Sequence, residues 1–179
     1  MTQRWRVIWP PIALNSSLHC TSTTRASRPG IGNSTWGGTT TSGLSRRASL
    51  RTMQKAIKRF LVQTKILQHR GPDVVAQIVL DFLSAVALLL RDAWDNPRKS
   101  IICKGVGVYS LMGVAGDLVN EAGNATIDKR YFSGKLADFV FDVDWSNGGL
   151  FRGLGGEGGV KQALALLRST RGKGQLRVV

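Results

Sequence analysis

Apolar positions in this chain fall into blocks of different spacing, and the first clear block begins near residue 45. On a helical wheel of about 100° per residue, Leu50, Met53, Ile57, Phe60, Leu61, Thr64 and Leu67 gather in one arc. Arg47, Arg51, Lys55, Lys58, Arg59 and Lys65 gather in another. This spacing predicts an amphipathic helix with a basic stripe. The stripe reads as a phosphate-contacting or membrane-surface face, or as the solvated side of a helix that packs by its apolar arc. His69, Arg70, Gly71 and Pro72 close the block, with Gly71 suited to a C-cap and Pro72 to the first turn of the next helix.

A second helix is predicted over about residues 72 to 95. Val75, Ile78, Val79, Phe82, Val86, Leu89 and Leu90 keep the helical spacing, and Asp73 lies at the positive N-terminal end. Gln77 and Asp81 interrupt the apolar run, and the uncharged part from 82 to 90 falls short of the roughly 20 residues that span a bilayer. A buried core helix is the reading.

Asp95, Asn96 and Pro97 form a turn signal. Residues 99 to 103 are a short β-prone run. From 105 to 119, Gly105, Gly107, Gly113, Ala115 and Gly116 are interspersed with Val106, Val108, Leu111, Met112, Val114 and Leu118. The mixture predicts a helix packed closely on a neighbour, because close packing can offset the cost of about 1 kcal/mol per interior glycine; a strand followed by a loop is the alternative. Residues 120 to 130 connect. Asn124, Ala125 and Thr126 match a glycosylation acceptor, set aside for want of a secretory signal.

Residues 131 to 145 carry two overlapping patterns. Phe139, Phe141, Val143 and Trp145 alternate with polar residues like a half-buried strand, whereas Phe132, Leu136, Phe139 and Val140 suit a helix. Asp138, Asp142 and Asp144 raise a metal hypothesis, but no histidine, further acidic cluster or calcium-loop glycine and glutamate accompanies them. A solvated acidic face is the reading, with no metal and no cofactor.

Glycines 148, 149, 153, 155, 156, 158 and 159 then concentrate a third of the chain's glycine ahead of an apolar helix over residues 160 to 168. Gly153, Gly155 and Gly158 satisfy G-x-G-x-x-G, and with Gly156 and Gly159 they could cradle a phosphate at a helix N-terminus. A dinucleotide fold also needs a second parallel strand and an acidic residue about 20 positions later. This chain has no Asp or Glu after Glu157, and it lacks the G-K-[ST] of a P-loop. The favoured reading is structural: a tight loop over Trp145, with Gly158 and Gly159 as an N-cap. Phosphate-ligand binding is the alternative.

Charge divides the chain further. Residues 1 to 72 hold 12 Lys/Arg and no carboxylate, residues 73 to 166 hold 9 basic and 11 acidic residues, and residues 167 to 179 hold 4 basic residues and no acidic one. The net charge of +14 therefore belongs to the two ends. Such ends attract nucleic acid or anionic membrane without specifying a sequence. Residues 1 to 44 show neither a helical nor a strand period and are expected to be a disordered basic tail. Their composition also fits a transit peptide, or a misassigned start upstream of a true domain. Trp9, Pro10 and Pro11 interrupt the only early apolar run.

Candidate chemistry is thin. Cys20 and Cys103 form neither a disulfide framework nor a zinc site, and they read as free thiols of a reducing, cytoplasmic compartment. His19 and His69 lie far from any nucleophile with an orienting group, so the reading leans away from an enzyme.

Two stretches, Trp94-Asp95-Asn96-Pro97-Arg98-Lys99-Ser100-Ile101-Ile102-Cys103-Lys104-Gly105-Val106-Gly107 and Phe151-Arg152-Gly153-Leu154-Gly155-Gly156-Glu157-Gly158-Gly159, resemble the C-terminal region of DGQHR-domain proteins. That family includes the regulator associated with DNA phosphorothioation systems. The resemblance spans about residues 50 to 168. The Asp-Gly-Gln-His-Arg signature is absent, since Gln68-His69-Arg70 occurs without the Asp-Gly. The resemblance implies a fragment lacking the ParB-like portion, in a bacterial, DNA-linked, defence-associated setting, and transfers no functional residue.

The expected architecture is mainly α: about four helices over residues 45 to 170, a glycine-rich loop, one or two short strands, and basic tails at 1 to 44 and 171 to 179. The expected function is a non-enzymatic, DNA-associated or regulatory module; the alternatives are nucleotide or other phosphate-ligand binding through the loop from Gly153 to Gly159, and a structural remnant without independent activity.

Overall fold

A computed structural model describes residues 48–64, 67, 70–123 and 125–175. The expectations for the N-terminal tail, together with Arg47, Lys65, His19, His69 and Cys20, lie outside the described residues. Within them the protein is mainly helical, as expected, with six helices: α1 Leu50–Gln63, α2 Pro72–Leu89, α3 Arg91–Asp95, α4 Gly105–Glu121, α5 Lys129–Ala137 and α6 Gly156–Gln175. A 3₁₀ turn, Val140–Asp142, follows α5.

Helix α1 starts where Ser49 Oγ accepts a hydrogen bond from Thr52 N at 3.2 Å, an N-cap that satisfies one of the orphan donors. Its apolar arc buries Met53, Ala56 and Phe60. The helix ends earlier than the periodicity implied. Thr64 leaves helical geometry at φ −97°, ψ 68°, while its hydroxyl donates back to Phe60 O at 2.7 Å. Gly71 consequently caps the start of α2 and not the end of α1, and Pro72 takes the first helical turn.

The long second helix expected from the spacing is two helices. Leu90, at φ −113° and ψ 44°, separates α2 from α3 while its own side chain stays buried. Among the described helices, α2 alone is long and apolar enough to cross a membrane. Eight of its residues are buried in the protein, and its outward stripe carries Gln77, Asp81 and Ser84, with Gln77 Nε2 donating to Asp81 Oδ1 at 3.0 Å. One side of it packs into the core, while Val74 and Leu88 on the other side are exposed. Phe82 meets Phe132 of α5 edge-on, with ring centroids 5.3 Å apart.

Helix α4 is the centre of the fold, with ten buried residues including Gly107 and Gly116. Contacts with α1 advance together along both chains: Ala48 N donates to Cys103 O, Thr52 reaches Gly105, and Gln63 reaches Gly113 and Gly116. Contacts with α6 do the same, from Gly113 with Leu164 through Asp117 with Arg168 to Glu121 with Arg171. The helices α1, α4 and α6 therefore run parallel, with their N-termini at one end. Helix α5 is tied to α4 by Tyr131, whose hydroxyl donates to Leu118 O at 2.7 Å.

The β-prone run and the alternating segment do meet, without forming strands. Ser100 and Ser146 make an isolated antiparallel bridge, flanked by Ile101 N to Trp145 O and Asn147 N to Lys99 O, both 2.9 Å. Pairing stops there because Asp144 and Ser146 turn the chain on one side, while α4 begins at Gly105 on the other. Helix α6 continues to Gln175, so residues 171 to 175 of the expected basic tail are helical.

Candidate nucleic-acid interface

The α1 face opposite Met53, Ala56 and Phe60 presents Arg51, Lys55 and Lys58, all exposed, at spacings of i, i+4 and i+7. At 1.5 Å rise per residue these three cations extend over about 10 Å of the axis. None of them pairs with a carboxylate of the described residues, whose ion pairs involve Arg59, Arg91, Arg168 and Arg171. Val62 lies on the same face and is 65% exposed.

Arg59 differs from the other three. It lies at the edge of the stripe, where its guanidinium stacks 4.6 Å above the Tyr109 ring centroid of α4 and donates to Glu157 Oε2 of α6 at 2.6 Å. Among the described residues the stripe thus divides into three exposed cations and one that is held against the protein.

The glycine loop is anchored by Trp145. Its indole Nε1 donates to Val140 O at 3.0 Å, and its ring packs on Phe151 with centroids 5.4 Å apart. Of the five glycines considered for phosphate binding, Gly153 and Gly156 take positive φ, +76° and +61°, a region that side chains disfavour. Gly159 is held close by space: a Cβ there would lie 2.9 Å from the Leu154 carbonyl carbon. Gly155 and Gly158 face open space, so the second and third glycines of the G-x-G-x-x-G pattern are not required by the loop's packing. Gly158 and Gly159 lie inside α6 and cannot be its N-cap, because the helix already begins at Gly156. A carboxylate, Glu157, occupies the first turn, where the positive end of the helix favours negative charge.

Asp138, Asp142 and Asp144 are exposed, and no cluster of three metal-binding side chains occurs among the described residues. Asp144 Oδ1 accepts from Ser146 N at 2.9 Å, and this bond to the charged form holds its carboxyl below the usual value. Cys103 is buried, its thiol directed at Trp94 O at 3.8 Å.

A polar network that periodicity did not reveal fills the seam between α1, α4 and α6. Asp117 accepts from Gln63 Nε2 at 2.7 Å and from Arg168 through Nε and Nη2 at 2.8 and 2.9 Å. Gln63 also donates to Gly113 O at 3.0 Å, and its amide lies where a Cβ on Gly116 would project. A turn further on, Arg171, with only 9% of its side chain exposed, pairs with Glu121. Burial, with Glu121 nearby, pushes the Tyr131 phenol above its ordinary value. The bidentate fork to Asp117 raises Arg168 above its ordinary value, so this cation stays charged.

Asp117→Ala leaves the Gln63 amide without its carboxylate acceptor and breaks the Arg168 fork. Urea denaturation should register a loss of about 2 kcal/mol. The Arg168 side chain is 51% exposed, so solvent screening keeps the figure near that of the Gln63 bond and not of a fully buried pair. Stability within about 0.5 kcal/mol of the parent would show that the network does not hold the seam.

No family model, curated protein or solved structure matches the chain. The resemblance to DGQHR-domain proteins accordingly rests on its own residues.

Proposed function

We propose that the chain is a non-enzymatic, nucleic-acid-associated module in which the outer face of α1 makes non-specific contacts to phosphates. One observation carries this reading: Arg51, Lys55 and Lys58 stand exposed on the face opposite the buried arc, with no carboxylate of the described residues to neutralise them. A solvated face that served only solubility would gain from mixed signs, whereas residues 1 to 72 hold no acidic residue at all. Three cations about 10 Å end to end can bear on neighbouring phosphates of one nucleic-acid strand. Binding of this kind is driven by release of condensed counterions, which makes it sequence-tolerant and steeply salt-dependent. The resemblance to DGQHR-domain proteins points the same way, toward a DNA-linked regulatory role as part of a larger bacterial protein.

The test is fluorescence anisotropy of the full chain with a labelled duplex of mixed sequence, titrated between about 50 and 200 mM salt. Replacing Arg51, Lys55 and Lys58 together by Gln should reduce the slope of log affinity against log salt by about 2.7, about 0.9 for each phosphate that is no longer neutralised. A slope left unchanged by the triple substitution would refute the proposed face.

A further inference from the structure

We infer that Glu157 is a built-in competitor of the α1 phosphate face, holding Arg59 out of the contact until it is removed or neutralised; this rests on the function proposed above. Arg59 belongs to the basic stripe by its place on the helix, yet it alone of the four described cations there has its charge answered from within the protein. Its guanidinium is held by two partners from two other helices. Tyr109 of α4 supports its flat face at 4.6 Å, and Glu157 of α6 receives its Nη2 at 2.6 Å. The carboxylate stands where a phosphate oxygen would otherwise meet the fork, since carboxylate and phosphate engage a guanidinium by the same charge-assisted hydrogen bonds.

The latch is soft. The two side chains are 46% and 63% exposed, and an exposed pair of this kind is worth little to the fold. Glu157 also sits in the first turn of α6, at the positive end of the helix, where a negative side chain is favourably placed. Breaking the pair does more than free a cation, because the carboxylate left behind faces the incoming phosphates with like charge. Among the described residues, the face therefore binds with three contacts where the stripe could supply four, and Glu157 sets that number.

Duplex binding by the full chain, read as a double-mutant cycle across salt, tests this. Glu157→Gln should tighten binding about fivefold at low salt and steepen the salt slope by about 0.9. Arg59→Gln in the parent should leave the slope unchanged, and adding it to Glu157→Gln should cancel the gain. Circular dichroism of each variant checks that the helices remain. The inference is overturned if Arg59→Gln alone lowers the slope by about 0.9, which would mean that Arg59 already reaches phosphate. It is also overturned if Glu157→Gln tightens binding equally with Arg59 present or replaced, which would make its charge a general field effect. If instead the triple α1 substitution leaves binding intact, the proposed face itself fails and this inference falls with it, a result distinct from the other two.

Discussion

Gly107→Val should destabilise the protein by about 3 kcal/mol or more, among the largest losses expected from a single added side chain. A Cβ at 107 would lie 2.3 Å from Ile101 O, 2.8 Å from Ile102 O and 2.9 Å from Ile102 Cα. All three are backbone atoms, and they are not free to retreat. Ile101 N is bonded to Trp145 O at 2.9 Å, Ile102 N to Ser100 Oγ at 3.2 Å, and Lys104 N to Ile101 O at 2.8 Å. Accommodating the side chain means detaching the 101 to 104 turn from both α4 and the Trp145 segment. Gly134 provides the contrast: it is exposed within α5 with nothing within 4 Å of its Cβ position. Gly134→Ala should gain about 0.5 to 1 kcal/mol, because alanine costs less backbone entropy in a helix. Urea denaturation of the two variants beside the parent tests both signs. A Gly107→Val protein within about 0.5 kcal/mol of the parent would show that the turn yields.

Trp145→Ala should cost about 3 to 5 kcal/mol and lower the thermal midpoint by about 10 °C. The indole is 5% exposed, packs on Phe151, and satisfies the Val140 carbonyl. Its own backbone carbonyl receives Ile101 N, so the residue joins the turn before α4 to the loop before α6. Trp145→Phe separates the contributions. It keeps the ring against Phe151 while leaving Val140 O without its donor, and it should cost about 1 to 2 kcal/mol. A thermal scan in which the alanine and phenylalanine variants melt together would place the whole effect in the hydrogen bond and contradict the packing account.

The sequence was most readable where a single helix faces a single core. Met53 and Phe60, or Val75, Ile78, Val79, Phe82 and Val86, recur at helical spacing because one stripe of each helix is buried. The small residues of α4 likewise announced a helix pressed against neighbours, and Gly107, Gly113 and Gly116 are each approached by another segment. Helix ends were less readable. Thr64 ends α1 by leaving helical geometry at φ −97°, ψ 68°, and periodicity carries no information about such a local backbone turn. The alternation of Phe139, Phe141, Val143 and Trp145 suggests a half-buried strand, yet the segment is a 3₁₀ turn and a bend, which bury Phe139, Val143 and Trp145 and leave Phe141 64% exposed. Least readable was the company of each charge. Arg59 and Lys58 are neighbours in the same basic stripe, but a carboxylate 98 residues away engages only the first. Asp117 is one polar residue in an apolar helix, and its partners come from positions 54 residues before and 51 after it. Distances of that kind are fixed by topology and leave no local trace in the chain.

The parallel course of α1, α4 and α6 also bears on how quickly the protein can form. Antiparallel helices join through a few residues, so a helical bundle ordinarily assembles from contacts close in the chain. Here each helix of the trio must wait for the chain to travel back before it can dock. The connecting contacts, Gln63 with Gly113, Asp117 with Arg168 and Glu121 with Arg171, span 50, 51 and 50 residues. Closing loops of that size costs entropy before any docking contact offsets it. Although its secondary structure is helical, the protein's folding rate should be governed by these two long returns, as in mixed α/β folds.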